Sequence, residues 1–301
     1  MTEPKRQLRF GVMCSGADFP QWQAQCLTAL LKLEGVKPAL LIVDSRPPAS
    51  SSSVWKRLKT LLALKVSLFS LYNRYRIQKQ CRATKPVCMS SFFEGVPQIA
   101  CEINRKGKFS EYFKEDDLVV IRSHDLDFIL RFGFNIIRGE ILTAPRYGVW
   151  SFHHGDEQQY RGAPPCFWEI YQHNPKTGCI LQRLTERLDG GIILRAGTFA
   201  TIFHSYSQSR DAAHRLGINW PAEVCQDLQQ GKAAYLDAPS STSKAPIYVA
   251  PRNGQMIAFA IIQVRHKLAN YMRYMRRSKP ARTMDPHITG AFEPRPRMKQ
   301  P

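Results

Sequence analysis

Apolar positions come in two rhythms along this chain, and together they predict an α/β fold. Leu8 to Cys14 is a nearly unbroken apolar run closed by Ser15-Gly16. A helical spacing from about Trp22 to Leu33 follows, then a second apolar run ending at Asp44. Strand, glycine turn, helix and strand predict a βαβ unit on a parallel sheet. Leu118-Val119-Val120-Ile121 reads as the next buried parallel strand, residues 126–148 as loop and short helix, and Val149 to His154 as a further strand. Two apolar runs between Thr177 and Ala200 flank a polar turn ending in Asp189-Gly190-Gly191, which predicts two strands around a loop. Residues 207–231 read as helix with Gly231 as its stop, and Ile257, Ile261, Val264, Leu268, Tyr271 and Met275 recur at helical steps.

These elements predict a Rossmann-like core over residues 1–235 with a mostly parallel sheet. A basic helical insertion is expected at about 54–82, a helical extension over 236–280 and a disordered basic tail over 281–301. From Leu58 to Tyr72 only Lys59 and Lys65 are charged, the pattern of an amphipathic helix that covers the body or, second in order, lies on a membrane interface.

Charge sharpens this organisation. The formal net charge is +19, but residues 54–82 hold eight Lys/Arg and no acid, and residues 265–301 hold ten against Asp285 and Glu293. Those stretches carry 16 of the 19 charges, leaving a nearly neutral body. That suits an enzyme meeting something anionic at its edge: RNA, a membrane surface or a phosphorylated ligand. Solvated charge with no partner is the alternative, and nucleic acid is not favoured. The eight cysteines form no CxxC pair and no zinc spacing, so no metal is expected. With no apolar leader and no uncharged apolar stretch of 18 residues, a cytoplasmic protein is expected, with a peripheral place at a membrane still open.

The chemistry concentrates in residues 149–169, Val-Trp-Ser-Phe-His-His-Gly-Asp-Glu-Gln-Gln-Tyr-Arg-Gly-Ala-Pro-Pro-Cys-Phe-Trp-Glu. On a strand, His153 and His154 point to opposite faces and cannot share one ion. His153 falls at the carboxyl end of a parallel strand, where open α/β sheets place ligand sites. Asp189 sits in a glycine-rich loop able to bring a carboxylate to an imidazole, fixing its tautomer and stabilising its cation.

These residues resemble the formyltransferase family: residues 148–165 resemble its Asn-x-His strand and following Tyr-Arg-Gly loop, Glu186 to Gly191 its Leu-Asp-x-Gly loop, and Phe132 to Ile137 its glycine-containing loop upstream. The resemblance runs in order over roughly residues 8–232. It implies transfer of a formyl group from 10-formyltetrahydrofolate to an amine. His153 would polarise the formyl oxygen, and Asp189 would orient the imidazole and help move the proton. The folate would lie against the backbone of Phe132, Gly133, Phe134, Asn135 and Ile136 and the loop at Leu188 and Asp189. Ser151 stands where the family carries an asparagine that donates to the developing oxyanion, and a serine hydroxyl is a shorter, rotating donor.

Weaker candidates complete the set. The turn Cys14-Ser15-Gly16 is placed to approach a substrate phosphate, and Arg161 with Gly162 to anchor an anionic acceptor. His124 is a candidate for the same cleft but reads better as structural, and Cys166 lacks a partnering base. The leading expectation is a folate-dependent N-formyltransferase acting on a small-molecule amine, such as an amino sugar on a nucleotide. The methionyl-tRNA branch is less favoured, because the residues after the core signal a helix and not a barrel of short strands. The alternatives are a degenerate binding module contacting RNA, membrane or a partner domain, and a formyl-folate hydrolase with water as acceptor.

Overall fold

A computed structural model describes residues 6–46, 67–107, 110–187 and 190–277. Seven strands build the central sheet: β1 (Leu8–Cys14), β2 (Val36–Asp44), β3 (Gln98–Cys101), β4 (Phe128–Arg131), β5 (Val149–His153), β6 (Lys176–Arg183) and β7 (Ile192–Ala200). Their order is β7-β6-β5-β4-β1-β2-β3. The five from β5 to β3 run parallel, while β6 and β7 are antiparallel additions. The chain builds outward from β1 through β2 to β3, then crosses back to lay down β4 and β5. The carboxyl ends of β1 and β4 therefore form a topological switch point, where a crevice opens in such sheets.

Helices cover both faces. α1 (Gln21–Leu31) buries Ala24, Leu27 and Leu30 on the face carrying Phe10, Phe128 and Trp150. Phe128 and Trp150 stack on neighbouring strands at 3.9 Å between ring centroids. Truncating either to alanine removes about 3–5 kcal/mol. After the insertion come α2 (Leu68–Tyr72), capped by the Ser67 hydroxyl, and α3 (Glu115–Ser123), which covers the opposite face. α4 (Phe167–Tyr171), α5 (Tyr206–Leu216), α6 (Trp220–Gln229) and α7 (Asn253–Arg277) complete the helical layers.

Two expectations are corrected here. Leu118 to Ile121 is helix α3 and not a strand: Leu118 and Ile121 are buried, but Val119 and Val120 are 57% and 42% exposed. Burial at a spacing of three is helical, and Glu115, Asp116 and Asp117 in the first turn complement the helix dipole. The true strand is β4, inside the stretch read as loop and short helix. The helix expected over 207–231 is two helices, α5 and α6, divided at Gly217.

Residues 54–66 of the expected basic helix and the tail 281–301 lie outside the described residues. The extension is stitched to the core, since Ile247–Tyr248 pairs in parallel with Arg161–Gly162. Among the described residues, no helix is long and apolar enough to cross a membrane.

Candidate active site

At the carboxyl edge of β4 and β5 lies a cavity of 410 Å³ lined by Arg131, Phe134 to Arg138, Phe152, His153, Gln182 and Leu184 to Arg187. Strand register explains its floor. Arg131 on β4, Ser151 on β5 and Gln182 on β6 are side-by-side partners, so their side chains share one face of the sheet. His153, two residues beyond Ser151, shares that face too.

Arg131 organises the site. Its Nε and Nη2 donate to Ser151 Oγ at 3.1 and 2.8 Å, and Nη1 donates to the carbonyls of Phe134 and Asn135 at 3.2 and 2.6 Å. One guanidinium thus ties the floor to the wall. Asn135 is held from behind by the buried carboxylate of Glu111, which accepts from its backbone N at 2.8 Å and its side-chain amide at 2.6 Å. Burial alone raises the Glu111 pKa, but the Asn135 donors and the Arg46 ion pair outweigh it and hold the carboxyl below its usual range. The opposite wall is fastened by Glu186, whose Oε1 accepts from the Gly139 amide at 2.7 Å and which pairs with Arg138 at 3.6 Å.

His153 has a defined tautomer. Its Nε2 lies 2.9 Å from the carbonyl oxygen of Tyr160, which can only accept, so Nε2 carries the proton and Nδ1 of the neutral ring keeps its lone pair. The contact requires Gly155, because a Cβ there would sit 2.9 Å from His153 Nε2 and 3.0 Å from the Tyr160 oxygen.

His154 faces the other way, as strand alternation predicts. Its ring lies against Trp22 at 5.1 Å and His214 at 4.3 Å. Burial, then the neighbouring His214, pushes its pKa well below the ordinary imidazole value. Of the pair, His153 lines the cavity and His154 belongs to the packing.

Several expected residues are placed differently. Ser151 is 1% exposed and lies beneath Arg131, so the side chain it supports, not its own hydroxyl, meets the cavity. Phe132 packs against Phe19 and Trp22, and a Cβ on Gly133 would press on the Cys14 backbone at 3.1 Å; the cavity wall begins at Phe134. Cys14 is buried, whereas Ser15 is exposed. Arg161 donates to the Ala245 carbonyl at 3.3 Å, and Gly162 has φ +85° with a virtual Cβ 2.2 Å from the Tyr248 oxygen, so both serve the stitch to the extension. His124 ends α3, ahead of the amino end of β4, and its carbonyl accepts from Arg9 there. It sits at the edge away from the cavity. Cys166 is buried, which pushes its thiol well above the normal range, consistent with an inert role.

Leu188 and Asp189 lie outside the described residues. The flanks of their loop are held by Thr185 Oγ1 donating to the Gly190 carbonyl at 2.9 Å, next to the cavity-lining Glu186 and Arg187. Sequence reading missed Arg131, Gln182, Glu111 and Gly155. Arg131 carried a signal, an arginine ending the apolar run Phe128 to Leu130. No group of three or more metal-ligating side chains occurs among the described residues.

No family model matches the chain. The methionyl-tRNA formyltransferase of Prochlorococcus marinus (strain NATL2A) is 26% identical over 110 residues, 36% of this chain and 32% of its own length. That of Fusobacterium nucleatum subsp. nucleatum is 23% identical over 186 residues, 61% of this chain and 59% of its own. The matches thus span about a third to three fifths of these two relatives. Among solved structures, the N-formyltransferase from Helicobacter canadensis, in complex with folinic acid and dTDP-3-aminofucose, is 10% identical, with coverage of 88% of this chain and 82% of that one and a TM-score of 0.49.

Proposed function

We propose that this chain is a formyltransferase that transfers a formyl group from 10-formyltetrahydrofolate to the amine of a small acceptor, with an amino sugar on a nucleotide as the favoured class, a reading supported by its similarity to methionyl-tRNA formyltransferases. The observation that carries this reading is the pairing of a histidine of fixed tautomer with an arginine at the mouth of an open cavity.

The residues fit a folate. A volume of 410 Å³ is in the range of small-molecule sites. The edge strand Ile136–Arg138, paired on one side only, offers backbone donors and acceptors to a flat heterocycle, and Ile136 and Leu184 offer apolar contact. When bound, 10-formyltetrahydrofolate supplies an activated formyl carbon. The protein then has two tasks: to stabilise the negative charge that builds on the formyl oxygen as the amine attacks, and to take the proton the amine loses.

Arg131 answers the first with a permanent positive charge lining the same cavity as His153, held in place by Ser151. That arrangement gives the serine a role different from the asparagine it replaces. His153 answers the second: with Nε2–H donating to Tyr160, Nδ1 would accept the amine's proton as the new N–C bond forms and return it to the donor's nitrogen as the bond from that nitrogen to the formyl carbon breaks, so that tetrahydrofolate leaves neutral. Asp189 is proposed to stabilise the imidazolium that forms.

Calorimetry with 10-formyltetrahydrofolate, paired with an assay of its turnover with and without amino-sugar nucleotides, tests the reading. His153→Ala and Asp189→Asn are expected to bind the donor nearly as the native chain does but to lose about 10²–10⁴-fold in rate. Full turnover in both variants would refute the assignment. Formate appearing without an acceptor would identify a hydrolase, and binding without turnover a degenerate module.

A further inference from the structure

Helix α7 spans Asn253–Arg277, 25 residues and roughly 37 Å long. It is apolar on two opposite sides. One side buries Met256 and Phe259, with Phe259 stacked on Phe167 at 4.3 Å, and Gln263 rivets it by donating to the Phe203 carbonyl at 2.6 Å. That side explains why the helix docks. The other carries Ile257, Ile261, Val264, Leu268, Met272 and Met275 in a stripe, each between 48% and 60% exposed. From Lys267 to Met275 every residue is exposed, so the last turns stand clear of the described body. A continuous exposed apolar stripe of this kind marks an interaction site.

Charge identifies the occupant. The helix contains Arg265, Lys267, Arg273, Arg276 and Arg277 and no Asp or Glu. Pairing the stripe with a second copy would set like charges alongside each other, an unfavourable arrangement in a helix pair. A nucleic acid would satisfy the charge but leave the apolar stripe in water. An anionic lipid surface satisfies both, with aliphatic side chains entering the headgroup–acyl boundary and basic side chains meeting the headgroups.

The neighbouring segment extends the same chemistry. The Leu68 amide donates to Asn253 Oδ1 at 3.0 Å, which places α2 beside the start of α7. Leu68, Leu71 and Tyr75 are exposed there, followed by exposed Arg74, Arg76, Lys79 and Arg82.

We infer that the exposed face of α7, with the adjoining α2 segment, docks this protein on an anionic membrane surface, lying in the interface and not crossing it. This is independent of the formyl-transfer reading, since none of these residues lines the cavity.

Flotation with mixed phosphatidylglycerol–phosphatidylcholine vesicles and with pure phosphatidylcholine vesicles tests the inference on the full chain. The native protein is expected to float with the anionic vesicles, to be released by salt and to leave the neutral vesicles largely unbound. Ile261→Ser with Leu268→Ser, both on the exposed side, should weaken partitioning by on the order of tenfold or more while leaving thermal unfolding unchanged. Arg265→Gln with Lys267→Gln should do the same on anionic vesicles. Failure to float, or equal flotation of the serine variant, overturns the proposal. So does a lipid-free dimer in light scattering that the serine substitutions dissolve, or binding of duplex RNA in preference to anionic vesicles.

Discussion

The His153 imidazole is positioned by an atom that is not there. Gly155 leaves room for Nε2 to meet the Tyr160 carbonyl at 2.9 Å, and a methyl group would fall on both partners. Gly155→Ala is therefore expected to lower the transfer rate by about 10²-fold, the scale of a displaced reacting group, without abolishing donor binding. An unchanged rate constant would show that the tautomer set by Tyr160 is immaterial. Arg131 supports a second prediction. Arg131→Met removes both the charge and the tie to the Phe134 and Asn135 carbonyls, so donor affinity and rate should fall together, the rate by about 10²–10³-fold. Ser151→Ala leaves the charge but loosens its hold and should cost about tenfold or less, a difference that steady-state kinetics resolves.

Elements ending in a recognisable chemical residue were readable from sequence; those ended by ambiguous residues were not. β5 is an apolar run closing on His153, and the β6–β7 pair flanks an unmistakable glycine turn, so both could be placed. β4 is only four residues long and ends in an arginine that looks solvent-bound, whereas Leu118 to Ile121 has the β-branched composition of a buried strand yet is a half-exposed helix. Tertiary burial overrode local propensity in both places. Losing β4 from the reading meant losing Arg131, since only its register beside Ser151 shows that the guanidinium reaches the site. Glu111 was invisible for a related reason: it lies in a short polar strand, and only the packed loop reveals it as the anchor of Asn135. α7 was legible as a helix because its steps of three and four are regular. The stripe that reveals it faces outward.

For the whole molecule, pH dependence follows from the aromatic box behind the site. Burial lowers the His214 pKa to about 3, and burial likewise lowers that of His154, while the unfolded chain protonates both near the ordinary 6.5. The sign is fixed: stability from keeping these rings neutral is complete above pH 6.5 and is lost as pH falls towards the folded values. At pH 5, His214 alone accounts for about 2 kcal/mol of lost stability. Thermal unfolding from pH 7 to pH 5 should show a falling midpoint, and His214→Phe should flatten that fall; an equally steep slope in the variant would contradict the assignment. The site and the basic surface are separate devices on one chain, one at the carboxyl edge of β4 and β5 and the other on α7. The central claim concerns the first. Carbon-13 in the formyl group of 10-formyltetrahydrofolate, followed by NMR in the presence of the protein and an amino-sugar nucleotide, tests it most directly. The account predicts that the label moves into a new amide with the native chain and stays on the donor with His153→Ala. A label left on the donor by the native chain across a panel of amines, or moved equally well by the variant, would contradict it.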